Sequence, residues 1–296
     1  MSAYRKSVLI TGCSAGGIGH ALAIEYNRYG YRVFATARKL DSMSELAGLG
    51  VETSELDVTD SNAIQELRQA ISVKTGGKLD ILVNNAGQGY DQAISDASVA
   101  RTREIIEVNL VAPMVMLKEF VHLLIASGDG RVAQIGSITG IMPIPFNAAY
   151  SASKAGIHSF SNSARIELAP FNVKVINILT GVIDSKIWRE GSLPADSLYK
   201  PMEDLYQQHR INIPSQGTTP TEEYARAVVR ETTKTTPSPW VWIGKNTMMV
   251  WLMDTFLPRT AWDYLLNHAF GINEFVARLA KRKTQTVEVT ETVAAQ

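Results

Sequence analysis

At 296 residues the chain is long enough for one large α/β domain with a buried core. Its 29 Lys and Arg balance 29 Asp and Glu, so no net field recruits nucleic acid or an acidic surface. A single cysteine, Cys13, excludes an internal disulfide framework and a cysteine-based metal site, and suits a reducing compartment.

Ser7 to Thr11 is a short apolar run that enters the turn Thr11-Gly12-Cys13-Ser14-Ala15-Gly16-Gly17-Ile18-Gly19, and residues 18 to 29 carry apolar side chains at Ile18, Leu22, Ile24 and Tyr26. Strand, turn and helix are expected in that order. Val8 to Ile10 starts too early and is too short for a signal peptide, so neither cleavage nor secretion is expected. Glycines let the backbone approach a pyrophosphate, and the helix N-terminus behind them offers unpaired N–H groups and a positive dipole end; the plain alternative is a tight turn. Arg32 to Ala37 reads as the second strand. Where an acid would hold the ribose hydroxyls of NAD stands Arg38-Lys39. Arg38 suits a 2'-phosphate, which favours NADPH over NADH, unless the two charges are a solvated strand end.

Val51 to Asp57 reads as the third strand and residues 61 to 75 as a helix stopped by Gly76-Gly77. Leu79 to Val83 is fully apolar, as in a parallel strand buried on both faces. It delivers Asn84-Asn85-Ala86-Gly87 to the carboxyl edge of the sheet, where ligands of such folds bind. One long helix is expected over 101 to 126. Asn109 in its middle is a poor helix-interior residue, and Pro113 beyond it fits a bend. Val132 to Ile135 is the fifth strand and hands over Ser137.

A helix from about Ala148 to Leu168, closed by Pro170, places Tyr150 and Lys154 one turn apart on one face. A neighbouring ammonium favours phenolate, so Lys154 is expected to lower Tyr150 toward neutrality and make an acid/base pair. Ser137 would add a hydroxyl at the oxygen whose charge changes. The sixth strand spans Phe171 to Ile178 and leads to Thr180-Gly181-Val182-Ile183-Asp184-Ser185. Residues 186 to 220 look irregular, as substrate lids do, and Lys186, Arg189 and Lys200 there are either contacts to an anionic substrate or surface charges. Thr221 to Thr235 is a helix and Trp240 to Ile243 the last strand. An apolar stretch follows from Thr247 to Pro258, too short to span a bilayer, with Trp251, Phe256, Trp262, Tyr264, Phe270 and Phe275 around it and Lys281-Arg282-Lys283 at the end. This helical extension, residues 246–283, is a lid or subunit contact, or a helix lying in a membrane interface. Residues 284–296 are expected to be a disordered tail.

With the glycine-rich turn, Asn84 to Gly87, Ser137 and Tyr150-x3-Lys154 in this order, the chain resembles the short-chain dehydrogenase/reductase family from residue 7 to about 245. The resemblance implies an α/β fold with a doubly wound parallel sheet (Rossmann fold) in one domain, residues 1–245. It implies a tetrad of Asn109, Ser137, Tyr150 and Lys154, in which the Asn holds a helix kink and a water that links the lysine to solvent. NADPH/NADP+ would meet Gly12, Ser14, Gly17, Ile18, Gly19, Arg38, Asp57, Asn84, Ala86, Gly87, Asn109, Tyr150, Lys154, Ile183 and Ser185, although Asp57 could be a helix N-cap. The implied reaction is carbonyl reduction: hydride to a ketone carbon, a proton from Tyr150 to its oxygen, the carbonyl steadied by Ser137 and the nicotinamide ribose held by Lys154. Two departures stand out. The glycine turn is one residue longer than the family's T-G-x3-G-x-G, and Thr180-Gly181 replaces its usual Pro-Gly.

Within the family, Asn84 to Gln88, Tyr150 to His158, Pro170 to Asn177, Thr180-Gly181 and the aromatic extension resemble the fungal 1-acyldihydroxyacetone-phosphate reductases. That subgroup implies a lipid ketone, with the protein on the cytoplasmic side, soluble or peripheral to the endoplasmic reticulum and lipid droplets. Relatives with the same marks act on ketones of secondary metabolism, and homo-oligomers are usual. A reading of another class, an idle NADPH-binding scaffold, is disfavoured by the intact tetrad.

Overall fold

The computed structural model describes residues 5–187, 191–213 and 217–281. Arg189, Arg282, Lys283 and the tail 284–296 lie outside the described residues. Seven strands, β1 (Ser7–Thr11), β2 (Arg32–Ala37), β3 (Glu52–Glu55), β4 (Ile81–Asn84), β5 (Arg131–Ile135), β6 (Lys174–Thr180) and β7 (Trp240–Ile243), form one sheet. Every pairing is parallel, in the order β3-β2-β1-β4-β5-β6-β7. The strand order reverses between β1 and β4, and a crevice outside the carboxyl ends of the strands follows from that reversal.

Strand side chains alternate faces, so the apolar runs supply two cores at once. Val8, Ile10, Val83, Ala133 and Ile178 meet α1 (Ile18–Arg28) and α8 (Thr221–Thr232) on one face. Leu9, Phe34, Leu82, Val132 and Val175 meet α3 (Ser61–Thr75), α5 (Ala112–Ala126) and α6 (Ala148–Leu168) on the other. The short α2 (Ser44–Gly48) lies between β2 and β3. Asp60, rather than Asp57, caps α3, accepting from Asn62 N and Ala63 N.

The expected helix over 101 to 126 is broken. It comprises α4 (Val99–Ile106), a π-turn at Glu107–Val111 and α5, and Ala112 N donates to the Glu107 carbonyl five residues back. Pro113 has no N–H for the Asn109 carbonyl four residues earlier, so an α-type bond is missing where the ladder widens. This stretch, Val99–Ala126, is long and apolar enough to cross a bilayer, yet Met116, Leu117, Phe120 and Leu124 pack it into the core. The sixth strand starts at Lys174 rather than Phe171, because Ala169–Phe171 is a 3-10 turn followed by Asn172 at φ 55°.

The described part of residues 186 to 220 holds more order than its composition suggests. A 3-10 turn at Lys200–Met202, α7 (Glu203–Tyr206) and a π-turn at Gln207–Ile211 bring Met202, Leu205 and Tyr206 against Phe146 and Phe275. Beyond β7, α9 (Thr247–Phe256) and α10 (Ala261–Ala269) lay Val250, Trp262, Leu266 and Phe270 on Ile138 and Met142. Residues 272–281 are helical.

Candidate active site

The carboxyl ends of the strands open into a crevice of about 770 Å³. Gly12, at φ 75°, forms its floor; a Cβ there would sit 2.8 Å from Ala86 Cα. A Cβ on Gly19 would lie 2.4 Å from the Gly12 carbonyl oxygen, so α1 can start this close to the turn only from glycine. The extra residue of the turn is taken up in a bend pinned from the side: Ala15 N donates to Ser42 O (2.9 Å) and Ser42 Oγ to Ser14 Oγ (3.1 Å). Asn85 ties the turn to the β4 end, donating Nδ2 to Thr11 O (2.8 Å) and Gly12 O (3.0 Å). The result is a cradle without side chains in front of a helix N-terminus, the shape a dinucleotide pyrophosphate needs. Arg38 and Asp57 line the adjoining end. Bonds from Thr59 N and Oγ1 to Asp57, with the Arg38 charge beside them, hold its carboxyl below the usual range.

Ser137, Tyr150 and Lys154 line the opposite part of the same crevice. Ser137 Oγ accepts from Thr139 N (3.2 Å) and Oγ1 (3.0 Å), leaving its own proton to donate. Its backbone N donates to His158 Nε2 (3.3 Å), one turn beyond Lys154. Burial and the Lys154 charge push His158 down to about 4, so it stays a neutral acceptor. Lys154 donates to the Ile135 carbonyl (2.8 Å) and lies 5.7 Å from the Tyr150 ring centre. Burial lowers it to about 8.

The expected acidification of Tyr150 by Lys154 is absent. Tyr150 keeps some accessible surface on the crevice, but dense packing pushes its phenol up to about 12. The Ser137 hydroxyl pulls it down, and Asp91 and Arg210 act in opposite senses. Lys154 directs one of its N–H groups to Ile135 O, and burial strips water from both side chains. Tyr150 is therefore a protonated phenol, a donor rather than a poised base.

Asn109 stands behind this pair, 1% exposed, in the π-turn. Its Nδ2 donates to Gln88 O (2.9 Å) and Ser153 Oγ (3.1 Å), and its Oδ1 accepts from Gln88 N (2.8 Å). A Cβ on Gly87 would lie 3.3 Å from Asn109 Oδ1 and 3.8 Å from Lys154 Nζ, so the two side chains converge on that glycine.

Of the residues singled out in the sequence, Gly12, Ser14, Gly17, Ile18, Arg38, Asp57, Ala86, Gly87, Ser137, Tyr150, Lys154, Ile183, Ser185 and Lys186 line the crevice. Of the expected tetrad and cofactor residues three do not: Gly19 and Asn109 support it from behind, and Asn84 turns to the helical face, donating to Pro113 O (3.3 Å). Lys200 donates to Leu193 O and Glu203 nearby in the chain rather than reaching the crevice. Sequence reasoning missed the pair of partly buried Asp91 and buried Arg210, joined further by Asn147 Nδ2 to Asp91 (2.6 Å). Its members stand 119 residues apart and carry no local signal. Asn147 is the residue before α6, diverted from capping it, and Phe146 beside it adopts φ 62°. Phe270, one of the aromatics of the extension, lines the crevice, and with it Met249 and Leu265, which the sequence did not single out.

The short chain dehydrogenase family model matches residues 6–194. "Short-chain dehydrogenase virD" of Hypocrea virens is 36% identical over 288 residues, 95% of this chain and 99% of that one. A Schizosaccharomyces pombe protein named NADPH-dependent 1-acyldihydroxyacetone phosphate reductase is 40% identical over 212 residues, 69% of this chain and 71% of its own length. Among solved structures, an alcohol dehydrogenase from Thermococcus sibiricus complexed with 5-hydroxy-NADP superposes with a TM-score of 0.66 at 25% identity, covering 81% of this chain and 96% of that one. With the sheet order, the glycine cradle and the Ser137, Tyr150 and Lys154 cluster already in place, these matches assign the chain to the short-chain dehydrogenases.

Proposed function

We propose that the protein is an NADPH-dependent carbonyl reductase acting on a ketone with an apolar body. The observation that carries this reading is the convergence of Tyr150, Ser137 and Lys154 on the crevice that also holds the glycine cradle. Arg38 at the end of β2 would take the 2'-phosphate, Ile183 and Ser185 the nicotinamide end, and Lys154 the nicotinamide ribose. When bound, the reduced nicotinamide supplies the hydride. As the carbonyl carbon gains it, the oxygen takes the proton of Tyr150 Oη, and Ser137 donates a hydrogen bond to that oxygen while its charge grows. Asn109 holds the Gln88 backbone and the π-turn in place behind Lys154, on the path by which the phenol would be reprotonated.

Met142, Ile144, Ile213, Met249, Leu265 and Phe270 line the remaining space, which suits a long apolar substituent. The S. pombe relative is named for a lipid ketone, so an acyldihydroxyacetone phosphate is the leading candidate. The match to the H. virens protein runs over more of the chain, which keeps a ketone of secondary metabolism as the second reading. Outside the crevice, Met248, Trp251, Leu252, Phe256 and Leu257 are exposed on α9 and just past it. This face is the proposed peripheral contact with a lipid surface, at the endoplasmic reticulum or a lipid droplet. One experiment addresses both parts: NADPH oxidation is followed with acyldihydroxyacetone phosphate and with non-lipid ketones, each with and without sedimenting vesicles. A lipid ketone turned over best, with protein in the vesicle pellet, is the expected result. Preference for compact ketones, with protein in the supernatant, overturns both.

A further inference from the structure

Lys186 stands directly after Ser185 in the loop that follows β6 (Lys174–Thr180) and lines the crevice. Its side chain reaches the glycine turn. A Cβ on Gly16 would meet Lys186 Cε at 2.7 Å, Nζ at 3.1 Å and Cδ at 3.6 Å, so the end of the lysine lies over the tip of the turn, 170 positions away in sequence. Gly16 itself has φ 75°. The residue is exposed, and burial does not force it there. An ammonium stationed over a turn that already presents N–H groups and a helix N-terminus concentrates positive potential at one point. Such an arrangement is favourable chiefly when an anion lies against both.

Resting on the cofactor reading above, we propose that Lys186 is a second contact of the pyrophosphate site: the N–H groups of the turn take the diphosphate and the Lys186 ammonium, at the tip of the turn, meets it from beside them. The same short loop carries Ile183 and Ser185, so a charge contact at Lys186 would also fix the position of the loop at the nicotinamide end of the site. This assigns the lysine to the cofactor and removes it from the substrate.

A pyrophosphate contact is shared by NADPH and NADH, whereas a 2'-phosphate contact is not. Equilibrium fluorescence titrations of the full chain with both dinucleotides therefore separate Lys186 from Arg38. Lys186→Met is expected to weaken NADPH and NADH by the same factor, about tenfold for one lost charge-assisted contact. Lys186→Arg should recover most of the affinity, and Arg38→Ala should weaken NADPH alone. Unchanged affinity for both cofactors in Lys186→Met overturns the proposal, and a raised KM confined to an anionic ketone returns the lysine to the substrate. A wild-type chain that binds neither dinucleotide is a different failure: it removes the cofactor reading, and the Lys186 contact with it, whatever the variants do.

Discussion

Tyr150→Phe is expected to lower ketone reduction by about 10²–10⁴-fold, the range for losing one positioned general acid, while the affinity for NADPH stays within about twofold. Phenylalanine keeps the ring and its packing on α6 and deletes only the proton that the product oxygen needs. Ser137 remains to polarise the carbonyl, held by Thr139 and His158. Residual turnover should therefore exceed the uncatalysed rate. Single-turnover reduction beside a dinucleotide titration checks both halves. Undiminished reduction would transfer the proton to another group and favour a reading in which Tyr150 only packs.

The second large effect runs in opposite directions for activity and stability. Lys154 is 5% exposed, and burial depresses its pKa from 10.5 to about 8. In the unfolded chain the amine holds its proton up to about pH 10.5, in the folded chain only up to about 8. A depressed folded value for a base destabilises the fold below both values, by about 3 kcal/mol here, and that deficit fades as pH rises from about 8 to about 10.5. Lys154→Met removes the deficit but leaves the Ile135 carbonyl without its donor, which costs about 1–3 kcal/mol. At neutral pH the variant should be as stable as the wild type or more so, by up to about 2 kcal/mol, with reduction abolished. The difference should shift toward the wild type as pH rises through that window. Thermal unfolding of both proteins at neutral pH and at about pH 10 tests this; a variant several kcal/mol less stable at neutral pH contradicts it.

Much of the scaffold was legible because its signals are local. The short continuous apolar runs gave the parallel strands, and the spacing of Tyr150 and Lys154 gave a helix face whose bounds, Ala148–Leu168, agree with the structure. What escaped depends on distance or on a single residue. The π-turn at Glu107–Val111 shifts the helical phase by one position, within the tolerance of any periodic pattern. The Asp91–Arg210 pair, the Lys186–Gly16 approach and the Lys154–Ile135 bond join segments brought together only by the fold. The sign of the Tyr150 shift was misjudged for the same reason: spacing along a helix says which groups are neighbours, but not how much water both have lost.

The account turns on a phenol that keeps its proton at neutral pH beside a lysine whose charge is the titratable part of the site. The pH dependence of kcat/KM for NADPH in the reductive direction reports groups of the free enzyme and tests this most directly. A fall in the rate centred near pH 8, where Lys154 loses its charge, with no loss from Tyr150 until far higher pH, is the predicted result. A profile that stays flat to about pH 10, or a rate that rises as pH increases through about 8, would contradict it.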